Sequence, residues 1–223
     1  MILTHPLFSS PFEFKENKIM LLVIENKAYY RRIIDDFRVQ LLGIDGESKI
    51  FCDDKELKLN KHVELITDFF NIDINKNKNL TRLYTAIKEE YINSDNYSKY
   101  LKLSESILSF MNEVNNNFDY DLSYDEQIEL STLLKAINLK FVLEEKIFNE
   151  KVMDYLSLMN TYLQIKLFIF ANIKSVMNIQ ELEELYQFLI YKKIPTLFIE
   201  SQVGEFNKYE KIRIGDQDLC VID

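Results

Sequence analysis

Two short apolar runs constrain this chain more than any other feature. One is Lys166-Leu167-Phe168-Ile169-Phe170-Ala171-Asn172, the other Pro195-Thr196-Leu197-Phe198-Ile199-Glu200. Neither alternates polar with apolar residues, so a strand made from either has no face to offer to water. Strands buried on both faces belong to parallel sheets covered by helices. Between the runs, 179–191 carries leucines at 182, 185 and 189, the spacing of one helical face. Strand, helix, strand is a βαβ unit with a right-handed crossover. The rest of the chain is expected to be built on this sheet.

Composition agrees. The 223 residues are 47% hydrophobic and 13% aromatic, enough to bury a core. Only 4 Gly and 3 Pro interrupt them, which favours long helices over a turn-rich all-β chain. Cys52 and Cys220 are far apart, without metal-ligand or disulfide-framework spacing, which points to a reducing compartment. The first residues, Met1 to Pro6, carry neither the basic nor the apolar part of a leader. No run approaches the roughly 20 apolar residues of a bilayer span. A cytoplasmic location and no membrane partner are therefore expected. The two histidines, His5 and His62, stand near no candidate nucleophile in sequence, so no catalytic residues can be named.

The first buried-strand candidate is 19–24, followed by a helix over 28–42. A nucleotide-binding α/β protein carries its phosphate loop at such a junction, with glycines that let backbone N–H groups reach the phosphates. Here the connection is Glu25-Asn26-Lys27-Ala28, with no glycine and with a carboxylate. ATP or GTP binding at the usual place is disfavoured. Farther on, Gly43 to Gly46 reads as a turn, 49–52 as a strand, 53–55 as a turn and 57–59 as extended, while 63–70 fits strand or helix. Helical patterning fills 80–114, broken at 93–98, then 124–137 and 144–164. The alternating residues 211–214 and 219–222 predict a hairpin at a sheet edge around Gly215-Asp216. The expected fold class is α/β: a head with a mostly parallel sheet from 1–70 and 165–223, and a helical segment over 71–164.

Charge is distributed unevenly. The chain is net −9, yet 76–102 holds six basic residues against three acidic ones. Arg31, Arg32 and Arg38 stand on the 28–42 helix. Each basic residue alone suits a solvated helical face; together they suit contact with phosphates. Asp119, Asp121, Asp125, Glu126 and Glu129 lie within eleven residues with no base among them. Carboxylates this close repel unless compensated. Two readings stand: a hard cation such as Ca²⁺, which takes six to eight oxygens, or a capping box in which Ser123 and Glu126 start the next helix.

These stretches together resemble a known family. Lys166 to Asn172, the helix with Gln180-Glu181-Leu182, and Thr196 to Glu200 are similar to the closing βαβ of Csn-two, the short form of the CRISPR-associated spacer-acquisition protein of type II-A systems. Ile66-Thr67-Asp68-Phe69-Phe70-Asn71-Ile72-Asp73-Ile74-Asn75 resembles its V-T-D-I-L-G-F-D-V-N segment, with Asn71 in place of a glycine. Asp119-Tyr120-Asp121-Leu122-Ser123-Tyr124-Asp125-Glu126 resembles its E-L-D-L-E-Y-D-E segment, with Ser123 in place of an acid. The strand ending in Leu22-Val23-Ile24-Glu25-Asn26 is also similar.

The resemblance implies a P-loop-ATPase-like head that lacks a phosphate loop and has lost nucleotide binding, plus an inserted helical leg. Asn172 stands where an active ATPase keeps a metal-holding Asp. The resemblance further implies a homotetrameric ring, not an enzyme, that threads linear double-stranded DNA from its ends without sequence preference. It works in spacer acquisition beside the spacer integrase and the RNA-guided nuclease. Calcium is implied at Asp119, Asp121, Asp125, Glu126 and Glu129, with Glu150 at a further acidic position. Four copies of one basic face make a positive channel from an acidic protein. The candidates for its lining are Arg31, Arg32, Arg82, Lys88, Lys135 and Lys140. The competing readings are a diverged α/β nucleotide hydrolase and a protein-only scaffold of the acquisition complex.

Overall fold

The computed structural model describes all residues except 9, 93–95, 143–145, 216–220 and 223. In chain order the first elements are β1 (Ile2–Thr4), β2 (Phe12–Glu13), β3 (Ile19–Ile24), α1 (Lys27–Leu41), β4 (Lys49–Cys52), β5 (Lys55–Leu57), α2 (Leu59–His62) and β6 (Val63–Ile66). There follow α3 (Asn77–Ile92), α4 (Tyr97–Asn116), α5 (Leu130–Ala136), α6 (Phe148–Tyr162), β7 (Leu167–Ala171), α7 (Ile179–Tyr191), β8 (Thr196–Glu200), β9 (Glu210–Gly215) and β10 (Val221–Ile222). They form two compact units, Met1–Ile72 with Glu145–Asp223, and Asp73–Glu144.

The first unit is an α/β body. Its larger sheet runs β10-β9-β3-β8-β7-β6, and the five strands from β9 to β6 are mutually parallel. Every residue of β3, β7 and β8 is buried, which is why their sequences carry no alternation. Side chains of one parity, Met20, Leu22, Ile24, Leu167, Ile169, Leu197 and Ile199, share a core with Ile33 and Phe37 of α1 and with Leu3, Phe12 and Ile50. On the other parity Phe198 meets Phe170 edge-on at 5.1 Å and Tyr186 of α7 at 5.2 Å. Helices therefore cover both faces. The smaller sheet, β2-β1-β4-β5, is antiparallel. Its β4–β5 hairpin turns on Asp53 and Asp54, both at positive φ (50° and 60°), as a tight right-twisted hairpin requires.

Several expectations change. The region 63–70 resolves into β6 and a bend in which Asp68 Oδ1 accepts from the backbone N–H of Phe70 (3.1 Å) and Asn71 (3.2 Å). The hairpin expected from 211–214 and 219–222 is present as β9 and β10, antiparallel to each other at the sheet edge, with β9 joined in parallel to β3. The turn between them falls on 216–220, outside the described residues, as do Cys220 and residues 93–95 of the helix break expected at 93–98; α3 ends at Ile92 and α4 begins at Tyr97. The helix containing 148–162, α6, belongs to the first unit rather than with 73–144.

The second unit packs α3 against α5. Tyr84 on α3 donates its hydroxyl to Leu139 O at 2.7 Å, and Asn75 exchanges two hydrogen bonds with the Phe141 backbone at 2.9 and 3.0 Å. The helix expected from 124 begins only at Leu130, with Glu129 and not Ser123 at its N-cap. The irregular segment before it is held from α4 instead. Leu122 N donates to Asn115 Oδ1 at 2.7 Å, and Tyr124 hydrogen-bonds Asn112.

Candidate functional site

The junction of β3 and α1 is where an α/β fold offers a phosphate its best backbone donors. In this chain Asn26 fills that place with its own side chain. Its Oδ1 accepts from Ala28 N (3.0 Å) and Tyr29 N (3.2 Å), a helix N-cap. With no glycine before it and two of its first N–H groups already bonded, the helix start presents no triphosphate cradle. Across the strand ends, Asn172 takes a left-handed conformation (φ 59°), and its Oδ1 accepts from Ser201 N at 2.8 Å. Asn172 is thus a loop brace between β7 and β8.

The two basic candidates on α1 are not equivalent. Arg32 gives both oxygens of Glu47 a hydrogen bond from Nη2, at 2.7 and 3.0 Å. Arg31 is exposed and has no ion-pair partner among the described residues. Arg38, read with them, is bound to Asp35 at 2.9 Å. In the second unit, Arg82 and Lys88 lie on α3, Lys135 in the last turn of α5 and Lys140 just beyond it. Lys135 and Lys140 are exposed. Lys88 Nζ donates to Glu129 Oε2 at 2.5 Å, and this hydrogen bond, reinforced by the opposite charge, holds the ammonium pKa above its usual range.

The acidic candidates do not converge. Asp119, Asp121, Asp125 and Glu126 are exposed along the irregular segment before α5, and Glu129 is engaged by Lys88. Glu150 is exposed in the first turn of α6, in the other unit. Among the described residues no group of three or more His, Cys, Asp or Glu side chains could hold a metal. A calcium ion needs six to eight oxygens within about 2.6 Å. As one chain places them, these acids do not fit it.

A polar group that the sequence reading missed lies inside the first unit. Glu200, the last residue of β8, is 5% exposed, and its Oε1 accepts from Lys174 N at 3.2 Å. Lys174 Nζ sits 2.7 Å from Glu210 Oε1, which also accepts from the Tyr186 hydroxyl at 2.6 Å. Burial pushes the Glu200 carboxyl up to about 7, against the pull of the Lys174 N–H and charge. The available signal was an acid closing an otherwise apolar run. Tyr30 on α1 is raised to about 12, chiefly by burial and then by the charge of Glu200.

Comparison with known proteins places this arrangement. A CRISPR-associated protein Csn2 from Enterococcus faecalis is 24% identical over 209 residues, covering 92% of each chain. Residues 43–219 match the family described as CRISPR-associated protein (Cas_Csn2), a span that includes the acidic segment, the βαβ of β7, α7 and β8, and β9. The chain belongs to the CRISPR-associated Csn2 family.

Proposed function

We propose that this chain forms a ring that binds the ends of linear double-stranded DNA without reading sequence, acts in CRISPR spacer acquisition and catalyses no reaction itself. The observation that carries the reading is family membership across 43–219. Two local features support it. Asn26 closes the helix start that a nucleotide hydrolase keeps open for phosphates. Arg31, Lys135 and Lys140 are exposed cations on a chain whose net charge is −9.

In this reading, Met1–Ile72 with Glu145–Asp223 is a P-loop-ATPase-like head without its phosphate loop, and Asp73–Glu144 is a helical leg. A homotetramer turns its cations toward a common axis, giving a positive channel although each subunit is acidic. Contacts with phosphates alone give affinity without sequence readout. Such affinity falls roughly 10³- to 10⁵-fold between low and moderate salt for a protein with six to ten phosphate contacts. The spacer integrase and the RNA-guided nuclease of the same system are the proposed partners. Among the described residues of one chain no acidic group is assembled for calcium, and no step of this reading is routed through it.

The test is a gel shift comparing one duplex in linear and in closed-circular form. Retention of the linear form alone supports threading from ends; equal retention, or none, rejects it.

A further inference from the structure

At the carboxyl ends of the parallel strands the first unit carries a two-lobed crevice. One lobe, of about 430 Å³, is lined by Lys27, Tyr30, Arg31, Asn172, Ser201 and Gln202. The other, of about 350 Å³, is walled by Ile34, Phe69, Phe70 and Val176 and shares Tyr30 and Asn172 with the first. Both volumes lie in the range of small-ligand sites, roughly 300–1,000 Å³. The position is one that open α/β sheets use for ligands, outside the carboxyl ends of the strands.

The two lobes differ in chemistry. The larger holds two cations, Lys27 and Arg31, with no ion-pair partner among the described residues. Asn172 spends its Oδ1 on Ser201 N, and the Tyr30 side chain lines the same lobe. The smaller lobe is apolar and aromatic. Phe70 is 80% exposed, an unusual position for a ring, and Phe69 is buried against Phe170 at 6.0 Å in a stacked arrangement. The carboxylate lining that lobe, Asp68, is occupied by two backbone N–H groups of its own turn. Glu200, behind Tyr30, is directed at Lys174 N.

We infer that this crevice binds a nucleoside 5′-monophosphate group, its phosphate between Lys27 and Arg31 and its base against Phe70. A cationic lobe beside an aromatic one matches phosphate and base in a single ligand, since every base has a face that stacks on an aromatic ring. The phosphate is held by side chains rather than by a helix start, because Asn26 has taken that start. A triphosphate with its magnesium therefore gains nothing over a monophosphate. The group is either a free nucleotide or the phosphorylated terminal nucleotide of a strand, and the chemistry is the same for both.

The experiment is calorimetric titration of the full chain with dAMP, deoxyadenosine and inorganic phosphate, and with ATP plus magnesium. Binding of dAMP is expected, tighter than either fragment and not improved in ATP. Phe70→Ala weakens dAMP roughly tenfold, and Lys27→Glu with Arg31→Glu removes its binding. Absence of dAMP binding at millimolar concentration overturns the inference, as does binding that both variants leave unchanged. Should the double variant misfold, Phe70→Ala decides alone, since Phe70 is exposed. A duplex with a short 5′-phosphorylated overhang, compared with its 5′-hydroxyl twin, identifies the source. Tighter binding of the phosphorylated end assigns the strand terminus, and no difference while dAMP binds assigns the free nucleotide. A mononucleotide is too small to be encircled, so its result stands apart from that of the ring, which blunt 5′-hydroxyl DNA reports.

Discussion

Lys88 and Glu129 are bound to each other at 2.5 Å, so a cation proposed for DNA and an acid implied for calcium occupy one ion pair. Both are partly solvent-exposed. While the pair is closed, Lys88 is neutralised toward a phosphate and Glu129 is unavailable to a metal. Glu129→Gln should release the lysine. The expected result is tighter binding of linear duplex at low salt, with the slope of log affinity against log salt steeper by up to about one. An unchanged slope means that Lys88 does not face DNA.

The cap at Asn26 gives a second prediction. Asn26→Ala leaves Ala28 N and Tyr29 N without their acceptor. The expected loss is about 1 kcal/mol, a fall in Tm of roughly 2–4 °C for a chain of this size. Asn26→Gly should lose only a few tenths of that amount. Thermal unfolding of the three proteins under one buffer checks the order.

Glu200 makes stability depend on pH with a defined sign. Its folded pKa, about 7, stands above the ordinary carboxyl value of 4.5. Between those values the folded chain holds a proton that the unfolded chain has released. Stability therefore falls as pH rises through this window and is lowest, from this group, above about pH 7. The shift corresponds to at most about 3 kcal/mol. Glu200→Gln keeps an oxygen for Lys174 N and carries no charge. It should remove most of the slope between pH 4.5 and 7 and be more stable than the parent at pH 8. Denaturant titrations across that range are decisive, and parallel profiles for the two proteins would contradict the assignment.

How far the sequence revealed this fold depended on where each residue's partners lie. The strands β7 and β8 were legible because burial on both faces leaves an unbroken apolar run, and α7 because its leucines repeat at helical spacing. The missing phosphate loop was legible from four residues; that Asn26 closes the helix start needed coordinates. The hairpin of β9 and β10 was legible from its alternating residues, but the partner of Arg213 was not. Arg213 is 6% exposed, donating to Ser10 O and Ser10 Oγ at 2.6 Å, a partner 203 positions away. The helix expected at 124 failed for a similar reason. Its capping signal at Ser123 was local, and the bonds from Asn112 and Asn115 on α4 override it. The crevice at Tyr30 joins residues from four separate stretches, so no motif announced it.

Charge reversal separates the basic candidates. Glutamate at all six of Arg31, Arg32, Arg82, Lys88, Lys135 and Lys140 should abolish retention of linear DNA. Reversing only the exposed Arg31, Lys135 and Lys140 should produce most of that loss, because Arg32 and Lys88 are already bound to Glu47 and Glu129. Binding that survives all six reversals would remove these residues from the interface.

The most direct measurement of the central claim is native mass in solution with calcium present and with a chelator, taken on the free protein and on protein bound to linear and to circular duplex. The account predicts a fourfold assembly that retains linear DNA and releases circular DNA. A single-protomer mass under every condition, or equal retention of both DNA forms, would contradict it.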